Sequence, residues 1–249
     1  MKKLLIAATI LIFTTGCYQK SISNAQRLSS QDKITTQKYS LKPFKSIVLQ
    51  GRASIELVNG SYAANATGMK VASQVLHVGT PALATNVPIK VFAPGLKNIT
   101  VTDNATVSSK NFKTAGLSIN AKNNGTINLE GQFAIDKIYQ RGNGRINISW
   151  IDSNNLFIDS DSGGPIYLAG TANNMTIKLT RDSQLDARYL RAQKASVLTT
   201  DKARADVLAI DTLGAFAVDK SNVFYYKRPH DLTVLTKGSG NVLQPDWIH

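Results

Sequence analysis

The sequence predicts an all-β chain wound as a parallel β-solenoid, with coils of about 19 residues after an N-terminal strand region. Three observations predict it. An apolar residue two places after a small or turn-forming one recurs at Val107, Ile127, Ile146, Ile166, Leu185, Ala205, Val223 and Val242, in steps of 20, 19, 20, 19, 20, 18 and 19. A companion row eight residues upstream, at Ile99, Ile119, Ile138, Ile158, Ile177, Val197, Ala215 and Val234, keeps the same register. No window carries a convincing helical stripe, and the weak one near Leu185–Leu198 continues the 19-residue register and reads as strand.

The 249 residues suffice for one sizeable domain with its own core. Residues 1–16 have the pattern of a signal peptide: Lys2 and Lys3, then an apolar run from Leu4 to Phe13 that is too short to span a membrane. Cys17 is the only cysteine, so it has no partner for an internal disulfide. The segment Thr14–Cys17 resembles a bacterial lipobox, with Thr14 where Leu is usual, and implies lipidation of Cys17. Tyr18 in place of Asp after the cysteine implies sorting to the outer membrane, on a face the sequence leaves open. Residues 17–38 are rich in Ser, Gln, Thr and Lys and read as a solvated tether. About 20 such residues reach roughly 60 Å when extended.

Residues 39–249 form the expected folded domain. Phe44–Gly51 and Ala53–Gly60 read as two strands stopped by glycine, with Met69–Val78 and Val87–Phe92 as further strands. Pro81, Pro88 and Pro94 exclude helices there. From residue 96 each unit reads apolar-x-apolar, a polar stretch, then small-x-apolar-x-apolar, as in Leu117–Ile119 followed by Gly125–Leu129. Alternation turns one side of each strand inward, and Asn/Asp/Gly/Ser clusters such as Lys122–Gly125, Arg141–Gly144 and Asp161–Gly164 supply turns. A unit this short cannot bury its own apolar face, so coils must stack.

Phe44 and Ile47 before Gly51, the repeated glycine turns, Asn222–Tyr226 with Pro229, and Thr236–Gly240 carry a resemblance that covers about Tyr39 to Gln244. On these residues the chain resembles the head GIN domain family of lipoprotein-associated, autotransporter-adhesin-like proteins. Arg181–Ser183 and Asp201–Ala203 depart from its Gly-rich corners. The resemblance implies a right-handed parallel β-helix and a surface location, and it implies no catalytic residue.

The formal charge is +13, which favours anionic partners. The leader argues against nucleic acid among them and leaves anionic polysaccharide, lipid headgroups or a surface receptor. Arg145, Lys178, Arg188, Arg191 and Arg204 are the candidate strip for an anionic ligand. Arg145 and Arg204 occupy one coil position, each just before an inward residue, and so are expected to point outward. Leu198, Phe216 and Leu235 fall at one outward position of successive coils, joined by Phe224 and Leu243 on the other strand. Such a row is expected to be covered. Cover by the chain itself, with Trp247 and Ile248 as a cap, ranks before a homodimer and a receptor.

Parallel β-helices also carry polysaccharide-cleaving enzymes, so catalysis must be weighed. Trp150–Asp152 resembles part of a pectate-lyase strand motif, with Ser153 at the place of the expected histidine. Asp159 and Asp161 are the candidate calcium or glycosidase carboxylate pair, yet they flank Ser160 before Gly163–Gly164 as solvated turn aspartates do. The Asp residues at 182, 186, 201 and 206 lie among cations and read as a charge-paired flank. His77, His230 and His249 are far apart, and no zinc spacing, nucleotide loop or Ser-His-Asp arrangement is present. The reading is therefore an extracytoplasmic, lipid-anchored adhesion or binding solenoid without catalytic residues, metal or cofactor. A polysaccharide lyase or hydrolase is the alternative, and a passive envelope protein the third reading.

Overall fold

The computed structural model describes residues 38–66, 69–79 and 88–245. Cys17 and the segments expected as signal peptide and tether, apart from Lys38, lie outside the described residues, as do Trp247, Ile248 and His249. Eight short strands come first: β1 (Tyr39–Ser40), β2 (Ser46–Leu49), β3 (Ser54–Val58), β4 (Ala63–Ala64), β5 (Lys70–Ala72), β6 (Val75–Val78), β7 (Ile89–Phe92) and β8 (Asn98–Val101). Six long ones follow: β9 (Thr106–Asn123), β10 (Thr126–Gly142), β11 (Ile146–Ser160), β12 (Pro165–Leu179), β13 (Gln184–Thr199) and β14 (Arg204–Asp219). The chain closes with β15 (Asn222–Tyr225), β16 (Asp231–Gly238) and β17 (Asn241–Leu243).

The fold is an all-β, largely parallel β-solenoid. Both sequence rows run in register through it. Val107 pairs with Ile127, Ile127 with Ile146, Ile146 with Ile166, and so on to Val223 with Val242. The companion row runs likewise from Ile99–Ile119 to Ala215–Val234. Bulges cut the long strands into three runs per coil, as at Glu130–Phe133 and Phe133–Lys137 of β10. Inward residues from all three runs form one core, including Ile127, Phe133 and Ile138 in a single coil, each 0% exposed. Each buried aliphatic side chain contributes roughly 1.5–3 kcal/mol, and like stacks on like between coils.

The first strands do not stack in chain order. β2 lies between β6 and β8, and β3 between β7 and β9. The rows therefore extend two rungs further, to Ile47 and Leu76 on one side and to Ile55 and Ile89 on the other. Antiparallel strands then close this end: β5 pairs with β6, and β4 with both β7 and β1. At the opposite end β16 and β17 each have one described neighbour along the stack, β14 and β15.

The turns between coils show why small residues recur. A Cβ on Gly144 would lie 2.0 Å from the carbonyl oxygen of Gly125 on the coil below, so the main chains stack without room for a side chain. Where the sequence departs from glycine, Ser183 and Ala203 still fit and are fully buried. The Ser183 hydroxyl sits 3.1 Å from Ser160 Oγ, and the latter donates to Gln140 Oε1, also at 3.1 Å, so these three buried side chains bond to one another in a ladder. Arg181 (φ 57°) and Asp201 (φ 60°) make the left-handed corners, and the Arg181 amide donates to Asp201 Oδ2 at 2.9 Å. That bond holds the Asp201 carboxyl below its ordinary pKa. At another corner Asn173 and Asn174 donate to Asn154 and Asn155 one coil earlier, at 2.8 and 3.0 Å.

Candidate binding face

The outward column of the first run reads Glu56, Ser108, Asn128, Asn147, Tyr167, Asp186, Asp206, Phe224 and Leu243 in register. Strand alternation fixes this order, because each residue follows an inward member of the main row. Two depressions lie along the face. One of about 410 Å³ is lined by Glu56, Ser108, Asn128, Asn147 and Ser149 among others. The other, of about 260 Å³, is lined by Tyr167, Asp186, Arg188, Arg204 and Asp206 among others. Tyr167 follows Asn147 in the column, where the lining of the first depression gives way to that of the second.

Around the second depression arginine alternates with carboxylate and aromatic ring. Arg188 binds Asp186 through Nε at 2.9 Å and Nη2 at 2.6 Å, and Arg204 binds Asp206 through Nε at 2.7 Å and Nη2 at 2.8 Å. The guanidinium of Arg188 holds the Asp186 carboxyl below the usual carboxylate range. Its own pKa rises in return, as does that of Arg204 through Asp206. Burial first, then its hydrogen bond to Asp206, pushes the Tyr226 phenol up. The guanidinium carbons lie over rings: Arg204 over Phe224 at 4.2 Å, Arg188 over Tyr226 at 5.3 Å and Tyr189 at 5.9 Å, and Arg145 over Tyr167 at 5.6 Å. Arg145 makes no ion pair among the described residues.

Of the five candidate basic residues, Arg188 and Arg204 line one depression, and Arg145 stands on the same face beside Tyr167. Arg145 and Arg204 are exposed on the first run, as their coil position predicts, and Arg188 lies at the end of that run. Lys178 belongs to the third run, in register with Asp159 and Leu198. Arg191 belongs to the second, between Thr171 and Leu208. The 19-residue register tells which residues stack, but not which of three runs faces which way.

The apolar row also stacks as read: Leu198 pairs with Phe216 and Phe216 with Leu235. Leu198 is half-buried, whereas Phe216 is 38% and Leu235 60% exposed, so the described residues leave the end of the row open.

The first corner carries exposed rings that the repeat pattern does not single out. Trp150 and Tyr189 are 68% and 74% exposed. Ile151 pairs with Gly170 and Ala169 pairs with Tyr189, so Trp150, Ala169 and Tyr189 occupy one corner on successive coils. Four coils turn this corner on a left-handed residue: Asn111 (φ 55°), Gly131 (φ 153°), Trp150 (φ 68°) and Gly170 (φ 136°). Asparagine and glycine tolerate that conformation, but a bulky side chain loses roughly 1–2 kcal/mol there. At Gly170 a Cβ would also meet the Ile151 carbonyl oxygen at 2.1 Å. The signal in the sequence is the break in alternation, with two residues instead of one between inward Ile148 and Ile151.

The possible catalytic groups are otherwise engaged. Arg141 binds Asp159 at 3.0 Å and Asp161 at 3.4 Å, and Arg181 approaches Asp161 at 4.0 Å. Ser153 is buried and accepts the Ile135 amide proton at 2.7 Å. Among the described residues no group of three His, Cys, Asp or Glu side chains is placed to hold a metal ion.

No curated protein matches the chain in sequence. Solved structures match in fold. A "putative adhesin" of Parabacteroides merdae is 19% identical with a TM-score of 0.73, covering 84% of this chain and 95% of that one. A "putative lipid binding protein" of Parabacteroides distasonis is 18% identical with a TM-score of 0.71, covering 83% and 95%. A "putative adhesin" of Bacteroides fragilis is 16% identical with a TM-score of 0.57, covering 84% and 95%. Residues 52–229, well over half of the chain, match the family described as "Putative auto-transporter adhesin, head GIN domain", and the chain belongs to that family.

Proposed function

We propose that this is an extracytoplasmic lipoprotein, anchored to the outer membrane through Cys17, with residues 1–16 as signal peptide and 17–38 as tether. In this reading residues 39–249 are a non-catalytic adhesion module that holds anionic glycans on the first-run face. One observation carries the ligand class: Arg145, Arg188 and Arg204 line one face together with Tyr167, Tyr226 and Phe224. Arg145, over the Tyr167 ring and without an ion pair among the described residues, is preorganised for carboxylate or sulfate groups, while the rings offer apolar contact. The net charge of +13 draws polyanions to the molecule. The adhesin names of two fold neighbours agree with a binding role, and the lipid-binding name of the third supplies the comparison to exclude. Arg141 and Arg181 occupy the carboxylates that a glycosidase would need free.

The test is retention of the soluble domain, residues 39–249, on a panel of acidic and neutral glycans and on anionic vesicles, with glycan chain length followed in parallel. Retention on acidic glycans without shortening is expected, and Arg145→Ser with Arg204→Ser should reduce it. Chain shortening would make the protein an enzyme, and retention on vesicles alone would make lipid the ligand.

A further inference from the structure

Trp150 is both exposed and left-handed, at a corner that other coils turn with Asn111, Gly131 and Gly170. Neither property serves the core, which the residues beside it supply: Ile148 and Ile151 are buried while the Trp150 ring is turned outward. Strain retained at an exposed side chain points to a contact outside the chain. Two coils further on, Tyr189 presents the most exposed ring among the described large hydrophobic residues, at 74%. Between the two, Ala169 leaves a low floor, and the two backbone positions are two rungs apart, about 9–10 Å at the usual strand spacing. The Arg188–Asp186 pair adjoins Tyr189 and brings hydrogen-bond donors and acceptors to the edge of this gap.

We infer that Trp150 and Tyr189 form a stacking platform for the pyranose rings of a polysaccharide laid along the solenoid axis. The ligand class follows from the combination. Ring C–H faces of a sugar suit exposed aromatic faces, sugar hydroxyls suit a paired carboxylate and guanidinium, and the Ala169 gap admits a ring between the two side chains. Trp, Tyr and Arg are also the side chains that dominate binding energy where they cluster. The inference rests on the glycan reading above and adds the residues that contact the sugar ring itself.

Trp150→Gly tests it cleanly, because glycine suits the left-handed corner and the variant should fold at least as stably as the parent. Polygalacturonate oligosaccharides serve as the acidic probe and dextran as the neutral one. The sequence has two tryptophans, so a Trp247→Phe background makes emission report on Trp150 alone. The expected result is a change in Trp150 emission on titration with polygalacturonate oligosaccharides. Trp150→Gly and Tyr189→Ala should each weaken binding at least tenfold without lowering Tm, while Leu235→Ser has no effect on binding. If Arg145→Ser and Arg204→Ser weaken binding but Trp150→Gly and Tyr189→Ala do not, the platform is wrong and the charge reading survives. If dextran binds equally well and depends on Trp150, the platform stands and the preference for anions falls. If neither probe binds, or if Trp150 emission responds to anionic vesicles alone, the sugar platform is overturned.

Discussion

The hydroxyl of Tyr226 donates to Asp206 Oδ1 at 2.7 Å while the same carboxylate accepts both Nε and Nη2 of Arg204. Asp206 has only 8% of its side chain exposed, so it holds a cation and a phenol at the margin of the core. Asp206→Ala removes the acceptor from both and should destabilise the domain by about 1–3 kcal/mol, whereas Tyr226→Phe should cost about 0.5–1.5 kcal/mol. Chemical denaturation of the two variants and the parent gives the order. A cost for Tyr226→Phe equal to that for Asp206→Ala would show that the carboxylate does not organise this cluster.

The pH dependence follows from the same face. The folded pKa of Asp186 lies below its unfolded value of about 3.9, because Arg188 hydrogen-bonds the charged form. Its contribution is therefore present above that unfolded value and is lost as pH falls through the lower folded one. Tyr226 moves oppositely: its folded pKa is raised above about 10, so its contribution is full below that value and is lost as pH rises through the folded pKa. Midpoints of urea unfolding against pH should show a shallower acid limb in Asp186→Asn and a shallower alkaline limb in Tyr226→Phe.

The turn glycines divide sharply in what they tolerate. Gly144→Ala forces a Cβ against the Gly125 main chain and should cost about 1–3 kcal/mol, the range of an overpacked site. At Gly163 the nearest atom to an added Cβ is Asn143 Oδ1 at 3.7 Å, an ordinary contact. Gly163→Ala should be neutral or stabilise by roughly 0.4–1 kcal/mol by restricting the unfolded chain. Thermal melts of both variants check the contrast, and equal losses would mean that coil stacking is not what selects glycine at 144.

The stacking order from Val107 to Val242 was legible in the sequence because a strand has a period of two and every coil repeats the same inward choice. What stayed illegible depends on angles between runs. Lys178 and Arg204 share a charge and lie only two coils apart, but corners place them on different runs, and no repeat length encodes those corners. The insertion of β2 and β3 between β6–β7 and β8–β9 was equally hidden, since Ile47 and Ile55 match the inward pattern of any rung. Trp150 shows a third kind of gap: its left-handed φ is set by where the main chain must turn, against the preference of the residue itself.

The proposed anchor makes a separate prediction. With Cys17 as the lipidated residue, Cys17→Ser should release the protein from membranes or leave its leader unprocessed. Detergent partitioning and the mass of the mature chain report both events. Unchanged partitioning of the variant would remove the lipoprotein reading and leave the binding domain as proposed.

The last prediction concerns the open end of the solenoid. Leu198, Phe216 and Leu235 stack on consecutive coils, and Val234, though on the inward row, is 43% exposed because no described strand lies beyond β16. A contiguous apolar surface at a strand edge invites pairing with other chains, and solenoid ends are ordinarily closed against it. At the other end the chain closes itself with antiparallel strands β1, β4 and β5, so cover from within the same chain is the favoured reading here too. The double variant Phe216→Ser, Leu235→Ser should then lower Tm at constant monomer mass, by about 2–4 °C for each kcal/mol lost. Light scattering on the same samples supplies the mass. A dimer that falls to monomer would instead make this end an interface between two copies. If neither Tm nor mass moves, the row is bare in solution and the assignment of these residues to a covered face fails.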